Sequence, residues 1–575
     1  MQGLTRRIKI VNLVLVVLGA VLVGRLFVLQ VVRNEYYRER AIVQQTRVNP
    51  QTLKRGDIYF QERGGNRIAA ATVRRGNYLA LRPSLISDAA QMFEALRAFV
   101  PRLDAEAFFA HASNKDDPFE IVAHRLEEDV GRGVFAKGFQ GVEVGREEWR
   151  FYPGASLAAH VVGFMGYRDD TLQGQYGIER AFEDELSGNA AANTAAPEER
   201  SGNGFLLHFL KRGRSLLLEE ERGGDIVLTI EPTVERVLED ALESAKKRWN
   251  ARQAGGIIIE PATGKILAMA AKPDFDPNLY NKETDVSVFV NPLVEHVFEV
   301  GSIFKPLTLA AAIDQKRIKP DSTYLDRGFV ELDGKRIENF DGKGRGKVDM
   351  QEVLNQSLNT GAVFAMQQLG KTQFRSYLEQ YGFSEYSGID LPGEVKSNMA
   401  NLSNSRDIEY ATAAFGQGIA LTPIALVSAL SALANGGNLM RPYVVEKIDV
   451  AWGPDMQTAP FVRRRVITEE TSRTISAMLT EVVDTALLGG EIKFPQYTVA
   501  AKTGTAQIPQ SNARGYSDEF LHSFFGYAPA SNPQFLVFLY LERPQGITYA
   551  AYSLGPTFRD MMEFLLNYYD VAPDR

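Results

Sequence analysis

Three short segments of the 575-residue chain carry residue types that could together perform acyl transfer. Ser302-Ile303-Phe304-Lys305 follows a glycine and opens an apolar stretch, Ser357-Leu358-Asn359 lies between helical patterns, and Lys502-Thr503-Gly504-Thr505 ends an apolar run. In a helix, positions i and i+3 share a face, so the Lys305 amine can reach the Ser302 hydroxyl. Serine is a weak nucleophile until a base takes its proton, and a lysine is such a base only when its pKa falls toward neutrality. Burial and a neighbouring cation such as Lys502 both disfavour the ammonium form. The positive end of the helix would favour negative charge developing near Ser302. A Ser–Lys pair needs no histidine, and the six His residues are scattered, none in a G-x-S-x-G elbow or an H-E-x-x-H metal motif. Each segment alone is a weak signal: Ser244-Ala245-Lys246-Lys247 is also S-x-x-K, and Ser187-Gly188-Asn189 and Ser201-Gly202-Asn203 are also S-x-N. Their order and context raise it, and Lys-Thr-Gly occurs once.

Composition removes competing chemistries. With no cysteine there are no disulfides, thiolate metal sites or Cys nucleophile. A net charge of -7, from 64 Lys and Arg against 71 Asp and Glu, offers no basic footprint for nucleic acid. At 45% apolar and 23% charged residues the chain is neither disordered nor a polytopic membrane protein, and its length allows two or more domains. One local extreme stands out. Residues 10–32 are apolar apart from Asn12, Arg25 and Gln30, and about 23 residues can span a hydrocarbon core of roughly 30 Å. A buried core helix would show a polar stripe, and a cleaved signal would end in a small-x-small site. Neither is present, so the run reads as an uncleaved single-pass anchor, with Arg25 snorkelling to an interface. Arg6, Arg7 and Lys9 ahead of the run place the N-terminus inside and the bulk of the chain on the extracytoplasmic, periplasmic side of the cell (inner) membrane.

The elements that must hold the three segments divide the chain into 1–32, 33–224 and 225–575. Residues 33–224 show a mixed pattern, with a helix predicted over 88–99, a turn at Tyr152-Pro153-Gly154, and a small polar loop or insertion at 187–222 that carries no chemistry. From Asp225 the texture changes. A strand is predicted over 225–230, a helix over 232–249, and two strands around a Pro-Ala-Thr-Gly turn in 255–271. Helices follow near 304–313, 350–369 and 423–435, strands at 497–503 and 534–541, and a last helix at 557–568. Strands at both ends with helices between them predict an α+β domain of about 350 residues rather than alternating βαβ units.

Taken together, S-x-x-K, S-x-N and K-T-G in this order resemble the penicillin-recognising serine transpeptidases. Further segments are similar to class B penicillin-binding proteins: Arg25-Leu26-Phe27-Val28-Leu29-Gln30-Val31, Arg55-Gly56-Asp57-Ile58, Tyr152-Pro153-Gly154 with Ala159-His160-Val161-Val162-Gly163-Phe164, Gly177-Ile178-Glu179-Arg180, Leu228-Thr229-Ile230, Phe415-Gly416-Gln417-Gly418 and Phe525-Gly526-Tyr527-Ala528-Pro529. The resemblance covers nearly the whole chain. It implies a transmembrane helix (1–32), an accessory pedestal domain (33–224) and a transpeptidase domain (225–575) with a mainly antiparallel sheet flanked by helices. Two departures stand out. Val300 replaces the proline usual before Gly-Ser, and after Ile58 the sequence Phe60-Gln61-Glu62-Arg63-Gly64-Gly65 replaces Asp-Arg-Asn-Gly. No second catalytic signature precedes Asp225, so the resemblance implies a chain that cross-links glycan without polymerising it.

By the same resemblance, Ser302 attacks the carbonyl between two D-alanines of a peptidoglycan stem peptide and Lys305 accepts its proton. Ser357 relays a proton to the departing amine, and Asn359 holds Lys305 and the substrate amide. The backbone N–H groups of Ser302 and Thr505 form the oxyanion hole. Lys502, Thr503 and Thr505 bind the terminal carboxylate, and Gly504 lets the substrate backbone approach the strand. No metal or organic cofactor is implied. The implied partners are stem peptides, β-lactams, the membrane, and a SEDS-type polytopic glycosyltransferase within the cell-wall synthesis complex. The Ser357-Leu358-Asn359-Thr360-Gly361 context leans toward the septal, cell-division type. Two other readings share these residues: a β-lactamase-like hydrolase or D,D-carboxypeptidase with the same acylation step, and a non-catalytic scaffold or β-lactam sensor.

Overall fold

A computed structural model describes residues 53–169, 171–188, 223–450, 455–510 and 515–575. The apolar run at 10–32 and nearly all of the expected insertion at 187–222 lie outside the described residues. Among the described residues no helix is long and apolar enough to cross a membrane. The described chain divides into two compact units, Leu53 with 73–150, and 54–72 with 151–575. The stretch expected as one accessory domain, 33–224, is therefore shared between them.

In the smaller unit, helices Ala89–Arg97, Ala105–Ser113 and Glu128–Lys137 bury Leu96, Phe108 and Val134 with Leu79. The first begins where sequence predicts. Asp88 caps it by accepting the Ala90 and Gln91 N–H groups at 3.0 Å, satisfying donors that have no partner within the helix.

In the larger unit, three of the quoted segments meet. The Arg55 guanidinium donates to Glu179 at 2.7 Å and to Glu183 at 2.9 Å, with Arg55 and Glu179 both buried. The Tyr152 hydroxyl lies 3.3 Å from Glu179 and accepts the Met165 N–H at 2.9 Å. Burial alone would lower the Arg55 pKa, but the two carboxylates outweigh it and keep the guanidinium charged. The altered stretch after Ile58 closes a hairpin: Ile58–Gln61 pairs with the first residues of Arg67–Leu81, and the Glu62 N–H donates to the Asn66 carbonyl at 2.9 Å.

The sheet that positions the chemistry has five antiparallel strands, β1 (Gln253–Ile259), β2 (Ile266–Lys272), β3 (Ala500–Pro509), β4 (Tyr516–Ala528) and β5 (Phe535–Glu542). They run in the order β3-β4-β5-β1-β2, which leaves β3 at an edge with one face of its backbone unpaired within the sheet. The helices that matter here are α1 (Pro232–Arg248), α2 (Lys305–Asp314), α3 (Asn359–Leu369), α4 (Pro423–Ala434), α5 (Glu469–Glu481) and α6 (Ala550–Tyr568). α1 and α6 pack on the sheet and on each other, α5 packs on β3, and α2 packs among α3, α4 and α5. Every residue of α4 is buried, as its apolar composition on all sides requires. Its Ser428 and Ser431 hydroxyls are satisfied by the carbonyls of Ile424 and Val427, one turn back.

This is the mixed α+β architecture read from the sequence, with three differences. The strand expected to stop at Thr503 runs on to Pro509, because pairing with β4 continues past Gly504. The 13-residue β4 was not anticipated: its first half is polar and its second half continuously buried, so it lacks a strand's two-residue alternation. The last helix starts at Ala550, not 557. Pro556 reads as a start signal, yet burial of Ala550, Ser553 and Leu554 carries the helix across it.

Arg55→Ala strands the Glu179 carboxylate in the interior and is expected to lower stability by roughly 3–5 kcal/mol. Urea unfolding of the two proteins measures this, and an unchanged midpoint would remove the pair's structural role.

Candidate active site

Gly301–Phe304 forms a 3-10 turn that runs directly into α2, with Pro306 in the first helical turn where its missing N–H costs nothing. In a 3-10 turn residues i and i+3 eclipse, which sets Ser302 and Lys305 on one side. Gly301 has φ +65°, a left-handed conformation that favours glycine. Its N–H donates to the Gly416 carbonyl at 3.1 Å, so the Phe415-Gly416-Gln417-Gly418 segment braces the turn. Val300, the departure beside the nucleophile, is buried, and its carbonyl accepts the Ser523 hydroxyl at 3.0 Å.

Lys305 is fully buried at the foot of this turn. Its ammonium donates to the Ser357 carbonyl and, at 3.2 Å, to the Ser357 hydroxyl. Ser357 presents both oxygens from a left-handed backbone (φ +56°), a conformation that costs a non-glycine residue of order 1–3 kcal/mol and concentrates at functional sites. Burial, reinforced by the charge of Lys502, drives the Lys305 pKa well below 10.5. Burial also lowers that of Lys502, to about 8. Two adjacent buried cations disfavour each other's charge, which favours the neutral form of Lys305.

β3 alternates along its length. Thr503, Thr505 and Gln507 line a cleft of 690 Å³ shared with Ser302, Ser357 and Asn359, while Lys502, Gly504 and Ala506 are buried. A Cβ on Gly301 would stand 3.2 Å from the Thr505 carbonyl carbon, so the nucleophile's turn and the strand are direct neighbours. The Thr505 hydroxyl accepts the Ala550 N–H at 3.3 Å, tying the strand to the start of α6.

The structure thus brings Ser302, Ser357, Asn359, Thr503 and Thr505 to one cleft, with Lys305 and Lys502 behind it. Three expectations are corrected. Lys305 is bonded to Ser357 instead of the Ser302 hydroxyl. Asn359 does not hold Lys305: its side-chain N–H donates to the Glu338 carbonyl at 2.8 Å. Lys502 does not line the cleft; its ammonium donates to the Thr503 carbonyl at 3.1 Å, and its charge acts on Lys305 from within. Gly504 is required for a different reason from the one expected. A Cβ there would point inward, 2.4 Å from the Ser523 hydroxyl and 2.7 Å from the Val300 carbonyl, so glycine lets β3 close on the nucleophile's turn. Ser523 and Glu338 were missed. Neither belongs to a motif, and only the pairing of β4 with β3 and the Asn359 contact reveal them. Among the described residues no cluster of His, Asp and Glu could hold a metal ion.

A buried lysine whose folded pKa is lowered binds its proton more weakly in the folded chain, so it costs stability below the folded value and the cost fades as pH rises toward the unfolded value. For Lys502 that window runs from about 8 to 10.5. Lys502→Met is therefore expected to be more stable than wild type at pH 7, on the order of 3 kcal/mol, with the gap narrowing as pH rises through that window. Thermal melts at pH 7 and pH 10 measure it, and a variant less stable at pH 7 would contradict the assignment.

Comparison with known proteins agrees with the geometry. Residues 254–563 match the penicillin binding protein transpeptidase domain, and residues 52–203 match the penicillin-binding protein dimerisation domain. The chain is 30% identical to stage V sporulation protein D of Bacillus subtilis over 97% of its own length and 85% of that protein. It is 27% identical to a peptidoglycan D,D-transpeptidase FtsI homolog of Mesostigma viride, over 96% of this chain and 94% of the relative. Among solved structures, it resembles penicillin binding protein 3 of Mycobacterium tuberculosis in complex with aztreonam, with a TM-score of 0.65 at 22% identity over 91% of this chain and 97% of that one. It also resembles penicillin binding protein 2X of Streptococcus thermophilus, with a TM-score of 0.69 at 20% identity over 88% and 79%. With the transpeptidase domain spanning most of the larger unit and a dimerisation domain before it, the chain belongs to the class B penicillin-binding proteins.

Proposed function

We propose that the chain is a serine-type peptidoglycan D,D-transpeptidase that cross-links stem peptides through an acyl-enzyme on Ser302. The observation that carries this reading is the buried Lys305, held within hydrogen-bonding distance of the Ser357 hydroxyl behind a cleft that Ser302 lines.

Lys305, neutral through burial and the neighbouring Lys502, takes the Ser302 hydroxyl proton as the oxygen attacks the carbonyl between two D-alanines. The N–H groups of Ser302 and Thr505, on adjacent segments, stabilise the oxyanion. The proton passes from Lys305 through the Ser357 hydroxyl to the leaving amine, the C–N bond breaks and D-alanine departs. The amine of a second stem peptide then attacks the ester, its proton returns along the same path to Ser302, and a peptide bond replaces the ester. The Thr503 and Thr505 hydroxyls on the cleft wall bind the donor's terminal carboxylate, with the Lys502 charge acting from behind. The free edge of β3 accepts the donor peptide as an added strand.

The reading extends to residues 10–32 as a single-pass anchor with the catalytic body on the extracytoplasmic face, supported by the apolar length of that run. It includes a SEDS-type glycosyltransferase as partner, since a chain that cross-links without polymerising needs a supplier of glycan. Its three parts are an anchor at 1–32, an accessory pedestal at 33–224 and a transpeptidase domain at 225–575.

Incubation with a penicillin followed by mass spectrometry is expected to place the adduct on Ser302, persisting for many minutes, and Ser302→Ala is expected to remain unlabelled. An adduct elsewhere, or equal labelling of Ser302→Ala, would overturn the assignment. Rapid loss of the adduct with turnover of penicillin would make the chain a hydrolase.

A further inference from the structure

Local backbone bonds hold the Ser357 side of the segment, from the Ser357 N–H to the Leu354 carbonyl at 3.4 Å and from the Leu358 N–H to the Val353 carbonyl at 3.0 Å, but α3 has no side-chain cap of its own. Leu358 occupies the capping position of α3, and its side chain cannot accept the helix's first N–H groups. The acceptor comes from elsewhere. The Asn339 side-chain oxygen accepts the Thr360 N–H at 3.2 Å, across 21 positions of sequence.

Asn339 is itself fixed. Its amide nitrogen faces both oxygens of Asp326, at 3.1 and 3.0 Å, and the Lys343 carbonyl at 3.1 Å. All three are acceptors only, so the amide can present only its oxygen to Thr360. The Thr360 hydroxyl donates to Asp326 at 2.8 Å and lies 3.0 Å from the Tyr324 hydroxyl. Asp326 also accepts the N–H groups of Gly328 at 2.9 Å and Arg345 at 3.0 Å. Asp326, Asn339 and Thr360 are 2%, 3% and 6% exposed, so their hydrogen bonds form in a low-dielectric interior where a lost partner is not replaced by water. One position earlier, the Glu338 carbonyl holds the Asn359 side chain. Two consecutive residues, Glu338 and Asn339, therefore grip two consecutive residues, Asn359 and Thr360, with only Leu358 between them and Ser357.

We propose that Asp326, Asn339 and Thr360 are positioning residues for acyl transfer: they cap α3 from a distance and so fix where Ser357 meets Lys305. None of them belongs to the three catalytic segments. Their effect is transmitted through Ser357, whose two oxygens accept from the Lys305 amine and whose left-handed backbone lies two residues before the gripped pair. The inference rests on the reading of Ser302 as the acylated residue.

The test follows acylation by a fluorescent penicillin under pre-steady-state conditions, separating the rate constant of acylation from non-covalent affinity and from the fraction of enzyme that labels. Asn339→Ala and Thr360→Val are expected to label to the full extent with an acylation rate constant reduced roughly 10- to 100-fold, as small misplacements of catalytic groups do. Thr360→Ser, which keeps the hydroxyl, is expected to recover most of the rate lost in Thr360→Val. Wild-type rate constants in Asn339→Ala and Thr360→Val would overturn the proposal. So would a loss confined to the labelled fraction, which signifies unfolding alone. Ser302→Ala, run alongside, separates the two readings: labelling of that variant defeats the assignment of the nucleophile, whatever the Asn339 and Thr360 variants do.

Discussion

The rest of the site depends on the burial of Lys305 with no carboxylate partner among the described residues. An ammonium removed from water is costly unless an anion accompanies it, and here the adjacent Lys502 adds repulsion. The hydrogen bonds available to the two ammonium groups end on Ser357 and on the Thr503 carbonyl, which solvate but do not neutralise. The economical response is for Lys305 to lose its proton, and a neutral amine is what the proposed acyl transfer requires. The property that destabilises the fold at neutral pH is the one the chemistry uses.

Much of the architecture can be understood as holding that amine in place. The fully buried α4 and the packing of α2 against α3 and α5 keep water from Lys305. Gly504 and Gly301 remove the side chains that would separate β3 from the nucleophile's turn, and Ser523 ties the Val300 carbonyl to the sheet. The cleft wall and the buried charges come from one strand: alternate residues of β3 face the cleft or the interior, so hydroxyls for the substrate and the cation that tunes Lys305 lie only one residue apart. In the proposed reading, this division of labour makes Ser302 accessible while Lys305 stays dry.

The chemistry was more legible in the sequence than the geometry. Ser302 and Lys305 are three residues apart, so a local rule puts them on one side of the turn, and the effect of Lys502 on Lys305 followed from charge and burial. Contacts that depend on tertiary placement were not legible: Asn359 with Glu338, the inward face of Gly504, and the inward turn of Lys502 each require the strand pairing and packing to be known. The α+β organisation followed from patterning, and most helices lie within a few residues of their predicted places. Strand β4 escaped because one half meets solvent and the other is buried on both sides, which erases the alternation that marks a strand. That 54–72 shares a unit with 151–224 was hidden because contacts such as Arg55 with Glu179 lie 124 positions apart in sequence.

The most direct test of the account is the pH dependence of the rate constant for acylation of Ser302 by a β-lactam. If Lys305 is the base and burial has lowered its pKa, acylation reaches its full rate well below pH 10.5 and falls only under more acidic conditions. A rate constant that climbs about tenfold per pH unit from 7 toward 10.5, as expected of a lysine with an ordinary pKa, would contradict it.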